Sequence, residues 1–123
     1  MTKEREEYIE CIKIAREFAK LAFESNVSSV VIQNAHKAVE FALSVYAIKK
    51  GLPIPRDHWE SKNFAYKISK DFGKDFAELF RMYLGAYRLE NGIKAKRAKA
   101  LMKRMLQTLE KERYVGETFI LNK

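Results

Sequence analysis

The sequence predicts an all-α fold, an up-and-down helical bundle of four long helices plus a short one. Apolar residues recur at spacings of three and four along most of the 123-residue chain, which is the period of an amphipathic helix. Only five glycines and two prolines interrupt the pattern, too few for the many turns of an all-β domain. The breaks between helical segments are short, so we expect one domain with antiparallel neighbours.

The first two helices have the clearest patterns. Residues 3–24 carry one apolar stripe, and Ser28 or Ser29 is expected to cap the helix that follows. That second helix extends to about Lys50 and stops at Gly51. It is apolar almost all round, which predicts a central position in the bundle. Its remaining polar stripe is formed by Gln33, His36, Lys37, Glu40 and Ser44.

A short third helix and a longer fourth one follow a proline-containing loop. Asp57 and Glu60 have the spacing of a capping box, which opens the third helix, and that helix runs to about Lys70. A break near residues 71–73 precedes the fourth helix, expected over about 74–91. Its aromatic residues are helically spaced and are expected in the core or in a dimer interface. They are Phe76, Phe80, Tyr83 and Tyr87.

A fifth helix, expected over about 93–113, completes the bundle. Residues 1–115 therefore form the predicted domain, and the tail 116–123 has no predicted position. Cys11 is the single cysteine, so no internal disulfide forms, and its place on the first apolar stripe predicts burial. No apolar run approaches the ~18 residues of a membrane span, and the charged first residues are unlike an export signal. We therefore expect a cytoplasmic protein that does not enter a membrane.

Three features together resemble one known family. They are the amphipathic first helix, the Ala-rich segment 34–51 with its internal Glu40, and His58 after a proline-containing loop. The pattern, over about residues 5–113, resembles HEPN domains, and most of all their small stand-alone archaeal and bacterial members of unknown function. The resemblance implies a homodimer related to toxin–antitoxin and defence systems. It also implies a minimal nucleotidyltransferase as the partner protein, or a nucleotide-type ligand.

The ribonuclease motif of that family is incomplete here. Its catalytic members resemble one another in an Arg-x(4–6)-His motif, and Arg88 stands where the Arg is expected. None of residues 92–95 is His. The resemblance therefore favours a non-catalytic interaction module, with no catalytic residues assigned. The candidates for a polar cleft are Arg88, Glu90, Asn91, His36 and Glu40.

His36 and Glu40 lie one helical turn apart, a spacing at which two side chains can ligate one metal ion. A two-ligand site needs further ligands, and none can be identified from the sequence. We therefore interpret them as a polar pair at the surface or at a subunit interface, and we expect no metal and no cofactor. His58 is expected to pack or hydrogen bond beside the Asp57 cap.

The fifth helix carries most of the chain's positive charge. Residues 93–113 have a net charge of +6, and the whole chain has +8. The favoured interpretation is a solvated helix face that keeps the protein soluble. The alternative function is RNA binding or RNA processing that uses this helix and Arg88, with phosphate contacts rather than base recognition. The candidate contact residues are Lys96, Arg97, Lys103 and Arg104.

Overall fold

The structure, a computed structural model, describes residues 3–85, 92–111 and 119, apart from the side chains of residues 4, 92 and 93. Within these ranges the chain forms five helices and no strand. The helices are α1 Lys3–Glu24, α2 Ser28–Lys50, α3 His58–Ile68, α4 Lys70–Leu84 and α5 Gly92–Glu110. This architecture confirms the predicted all-α bundle, and α3 is its short helix.

The second helix is central, as predicted. It packs against each of the other four helices, most extensively against α1 and then against α5. Small side chains on both α1 and α2 are fully buried, so the two helices can approach closely. These small residues are Ala15, Ala19 and Ala22 on α1 and Ala35, Ala38 and Ala42 on α2. The larger members of the α2 core include Val31, Ile32, Val39 and Leu43.

The predicted cap at the start of α2 is wrong, and the predicted end of α2 is correct. The residue that caps its start is Val27, which provides no side-chain hydrogen bond, so the predicted cap by Ser28 or Ser29 is wrong. Ser28 is instead the first helical residue and is buried. The C-terminal end is confirmed at Gly51, whose φ of 72° is left-handed. Glycine adopts this conformation without the steric penalty that a Cβ imposes.

The predicted cap of α3 by Asp57 is confirmed, whereas the Glu60 side chain reaches back to Arg56 rather than to the backbone N–H of Asp57 as in a capping box. The Asp57 Oδ1 atom accepts a hydrogen bond from the Glu60 backbone N–H at 2.8 Å. The Glu60 carboxylate in turn accepts the backbone N–H of Arg56 at 3.1 Å. Two backbone donors at the helix start are satisfied in this way, which fixes where α3 begins.

The boundary between α3 and α4 is earlier than predicted. Ser69 separates the two helices, and its hydroxyl accepts the backbone N–H of Phe72 at 3.0 Å. Gly73, which was expected in a break, therefore lies inside the first turns of α4. A Cβ on Gly73 would overlap the ring of Tyr66, so glycine lets α3 and α4 pack as a tight hairpin. The helix ends at Leu84 rather than near residue 91.

The fifth helix closes the core together with one residue of the tail. A buried apolar stripe on α5 is formed by Ala98, Leu101, Met102, Met105, Leu106 and Leu109. Phe119, the one tail residue that the structure describes, is 1% exposed and belongs to the same core. Its backbone N–H donates to the Glu110 carboxylate at 2.8 Å. Within the described ranges no helix combines the length and the apolar character that crossing a bilayer requires.

Candidate functional site at the junction of α2, α3 and α4

Two histidines and one glutamate meet where α2 contacts the start of α3. His36 and Glu40 are one turn apart on α2, and the His36 Nδ1 atom lies 3.2 Å from one Glu40 carboxylate oxygen. His58, the first residue of α3, approaches the other carboxylate oxygen, with its Nδ1 atom at 2.9 Å. One carboxylate thus lies between two imidazoles. We call these three residues the His–Glu–His cluster.

The cluster is buried on one side and open on the other. The His36 side chain is 0% exposed, whereas those of Glu40 and His58 are 24% and 39% exposed. A cleft of about 190 Å³ borders Glu40 and is also lined by Ser44 and Arg56, among others. Small ions and water can therefore reach the carboxylate from solvent through this cleft.

Aromatic rings of α4 hold the two imidazoles. The His36 ring is stacked on Tyr83, with the ring centroids 4.5 Å apart and the planes inclined by 18°. The His58 ring is stacked on Phe80 at 4.8 Å. The ring of Phe76, which is fully buried, has its centroid 5.5 Å from the centroid of the His36 ring. Rings packed on both imidazoles restrict their rotation and orient their nitrogens.

Three imidazole nitrogens in the cluster have no hydrogen-bond partner among the described residues. They are both ring nitrogens of His36 and the Nδ1 atom of His58. The Glu40 oxygens are close to two of them, but not in the alignment that a hydrogen bond requires. An unsatisfied buried polar group costs about 1–3 kcal/mol, and a cation held between the members of the cluster would remove part of this cost.

The structure tests the predicted polar cleft only in part. His36 and Glu40 do lie together, but Arg88, Glu90 and Asn91 are outside the described residues. The His36 side chain is fully buried and that of Glu40 is 24% exposed, so only Glu40 reaches the surface of the chain, and the alternative of a pair at a subunit interface stays a prediction. His58 was not predicted as the third member, because the hairpin of α3 and α4 brings it back to α2 through tertiary contacts.

The candidate RNA-binding arginines are both engaged by α4. Arg97 donates two hydrogen bonds to the Glu78 carboxylate, at 2.7 and 2.9 Å. Arg104 makes the same two-bond arrangement with Asp75, at 2.8 and 2.7 Å. The hydrogen bond from Arg97 and its positive charge lower the pKa of Glu78. These ion pairs join α5 to α4 and neutralise half of the four candidate contact residues.

The lysines of α5 divide into two groups. Lys96 and Lys103 are exposed, and neither forms an ion pair with a described residue. Lys99 instead points inward, where its Nζ atom donates to the backbone carbonyls of Phe23 and Ser25 at 3.1 and 3.0 Å. Lys99 thus ties α5 to the end of α1, and the free basic surface is narrower than the sequence pattern indicates.

The single cysteine is buried, as predicted. Burial raises the pKa of the Cys11 thiol, and the negative charges of Glu7 and Glu10 raise it further. A thiol with a raised pKa is a poor nucleophile and a poor metal ligand at neutral pH. The chemistry of the described residues is therefore concentrated in the His–Glu–His cluster.

Comparison with protein-family models, with curated proteins and with solved structures finds no match for this chain. The resemblance to HEPN domains therefore stays a prediction.

Proposed function

We propose that the chain is a HEPN-like interaction module that forms a homodimer through the junction of α3 and α4 and has no ribonuclease activity of its own. The supporting observation is an apolar surface that the described residues leave uncovered. Trp59 is 68% exposed and Leu84 is 63% exposed, the highest values among the large apolar side chains that the structure describes. Exposed apolar surface of this kind is typical of protein–protein contacts.

Each of the two exposed residues follows, in sequence, a member of one aromatic cluster. The His58 ring lies on Phe80 and Tyr83, so the first turn of α3 is beside the last turns of α4. Trp59 directly follows His58, and Leu84 directly follows Tyr83. Phe80 and Tyr83 are themselves only partly buried. We name Trp59, Phe80, Tyr83 and Leu84 the junction surface.

A second copy of this chain is the proposed occupant of the junction surface. In a two-fold dimer the same patch contacts its own copy, so one apolar surface is sufficient to build the whole interface. The resemblance to HEPN domains supports the same assembly. We also propose, from the sequence predictions, a cytoplasmic location and either a minimal nucleotidyltransferase as a partner or a nucleotide-type ligand.

Light scattering tests the dimer with a matched pair of variants. Leu84→Ser removes one apolar side chain from the junction surface, and Leu21→Ser makes the same change at an exposed position on α1. At micromolar concentration we expect wild type and Leu21→Ser at about twice the 14.4 kDa chain mass, and Leu84→Ser shifted towards the monomer. Circular dichroism confirms that both variants remain helical.

Two results would count against the dimer. One is a wild-type mass equal to that of the single chain at micromolar concentration. The other is a Leu84→Ser protein that is as dimeric as Leu21→Ser, which would place the interface away from the end of α4.

RNA binding remains the second candidate, and the exposure of Lys96 and Lys103 favours it. Because Arg97 and Arg104 are held in ion pairs, these two lysines are the remaining members of the predicted contact set. Neutralising two phosphates predicts a slope of log affinity against log salt of about −1 to −2. A slope this shallow distinguishes a contact made by two lysines from one made by all four candidate residues.

The RNA experiment compares two double charge reversals. Lys96→Glu/Lys103→Glu changes α5, and Lys13→Glu/Lys20→Glu makes the same net change on α1 at the same seven-residue spacing. A role for the basic helix predicts that the first variant loses binding to a generic RNA at low salt and that the second retains most of it. Equal losses in both variants would show only a response to net charge.

A further inference from the structure

We propose that His36, Glu40 and His58 bind a divalent transition metal ion such as Zn²⁺. This proposal does not depend on the dimer, although Phe80 and Tyr83 of the junction surface stack on the two imidazoles. Two imidazoles and one carboxylate are a ligand set that zinc and its neighbours prefer. The three residues come from two different helices and are brought together by the fold, so their proximity is not a consequence of helix periodicity alone.

The separations in the cluster match a metal site. One ligand atom from each residue lies within 4.8 Å of the other two. Around a tetrahedral ion with bonds of about 2.0–2.1 Å, neighbouring ligand atoms are about 3.3 Å apart. The His36 Nδ1 atom is 3.2 Å from one Glu40 oxygen and the His58 Nδ1 atom is 2.9 Å from the other, so each imidazole is already at about this separation from one carboxylate oxygen. Binding of one ion requires the three ligand atoms, now within 4.8 Å of one another, to close to about 3.3 Å.

The unsatisfied nitrogens are an independent observation in favour of an ion. His36 is fully buried, and among the described residues neither of its ring nitrogens has a hydrogen-bond partner. The Glu40 carboxylate is near both imidazoles without being aligned with the N–H direction of either. A cation between the three groups satisfies the carboxylate and one nitrogen lone pair on each imidazole at the same time.

The surroundings permit both entry and retention of the ion. Tyr83 and Phe80 stack on the two imidazoles and limit their motion, which lowers the conformational entropy that binding must remove. The cleft beside Glu40 gives the ion a path from solvent. Because the protein supplies three ligands, a fourth coordination position is available to water or to a small anion from this cleft.

Calorimetric titration with Zn²⁺ tests the site on the full-length, untagged chain after removal of metal with a chelator. We expect one Zn²⁺ per chain for wild type. We expect Glu40→Gln and His58→Ala to bind at least about tenfold more weakly, because each loses a direct ligand. The control Glu17→Gln changes an exposed carboxylate on α1 and is expected to bind as wild type does.

Two further readouts separate a bound ion from a merely structural role. Zn²⁺ should raise the melting temperature of wild type by about 5 °C or more at saturation, and not that of Glu40→Gln. Co²⁺ should give visible d–d absorption with wild type only. Leu84→Ser should keep Zn²⁺ binding, so the dimer and the metal site succeed or fail separately.

The proposal is overturned if wild type and Glu40→Gln bind Zn²⁺ with the same affinity. It is also overturned if wild type shows no stoichiometric binding, which would leave the cluster as a proton-bridged polar contact. Glu40→Gln is nearly isosteric and its side chain is partly exposed, so it decides the question even if His58→Ala does not fold.

Discussion

Gly73 controls how closely α3 and α4 pack. A methyl group at this position would overlap the Tyr66 ring at its Cγ and Cδ1 atoms, near the base of the ring rather than at its flexible end. Gly85, which ends the same helix, is in a different situation. The nearest atoms to a Cβ there are backbone carbonyl oxygens at 3.7 and 3.9 Å, which are ordinary contacts. The two glycines therefore form a matched pair for substitution.

We expect Gly73→Ala to lower the free energy of unfolding by up to about 2 kcal/mol. Overpacking against Tyr66 costs about 1–3 kcal/mol, and the higher helix propensity of alanine offsets about 1 kcal/mol of this loss. Gly85→Ala should change the free energy of unfolding by less than about 0.5 kcal/mol. Urea unfolding measures both variants.

A Tyr66→Ala background provides the control for Gly73→Ala. Without the ring, the added methyl group has space, so the destabilisation should disappear. If Gly73→Ala is equally destabilising with and without Tyr66, steric overlap with this ring is not the cause.

The helices α4 and α5 are joined by two ion pairs on one side of their contact. Arg97 pairs with Glu78, and Arg104 pairs with Asp75. Arg104 lies seven residues after Arg97 on α5, and Asp75 lies about one turn before Glu78 on α4. Each arginine uses two nitrogens and each carboxylate two oxygens, the geometry in which an ion pair is most specific. The hydrogen bonds to the carboxylates also raise the pKa of both guanidinium groups, which stay charged.

The lowered pKa of Glu78 predicts a definite pH dependence. A carboxyl group whose pKa is lower in the folded state contributes stability above its unfolded value, here the ordinary 4.5. This contribution is lost as the pH falls through the lowered folded-state value. We therefore expect Glu78→Gln to be less stable than wild type at pH 7, and the difference to shrink at acidic pH.

Urea unfolding of both proteins between about pH 3 and pH 7 measures that difference. The matched control is Glu17→Gln, which removes an exposed carboxylate from α1. A difference between wild type and Glu78→Gln that is constant over this range would contradict an origin in the ionised pair.

The junction of α2, α3 and α4 contains both the His–Glu–His cluster and the junction surface. The core around α2 is built from small and branched apolar side chains, whereas the junction with α3 and α4 contains the His–Glu–His cluster and a set of aromatic rings. The buried imidazole of His36 contacts Phe80 and Tyr83, which also belong to the junction surface. Dimer formation and metal binding would therefore share these two aromatic residues.

The helical parts of this architecture could be predicted because they depend on local pattern. Apolar periodicity located all five helices, and Gly51 and Asp57 marked two of the helix ends correctly. The boundary at Ser69 was missed because a glycine at position 73 resembles a break. Only the packing of Tyr66 explains why that glycine lies within a helix.

The candidate site could be predicted only in part because its contacts are tertiary. The spacing of His36 and Glu40 on one helix is visible in the sequence, but the approach of His58 depends on the angle of the α3–α4 hairpin. The pairing of Arg104 with Asp75 also joins residues far apart in the chain. Charge periodicity on α5 alone could not show that this arginine was already engaged.

The concentration dependence of Trp59 fluorescence tests the proposed dimer most directly. Trp59 is the single tryptophan of the chain and is 68% exposed, so its emission reports on the junction surface alone. We predict that the emission maximum moves to shorter wavelength as the concentration rises, in parallel with the mass from light scattering, and that Leu84→Ser abolishes this shift. Emission of a solvent-exposed indole at concentrations where the wild-type chain is dimeric would contradict the proposed interface.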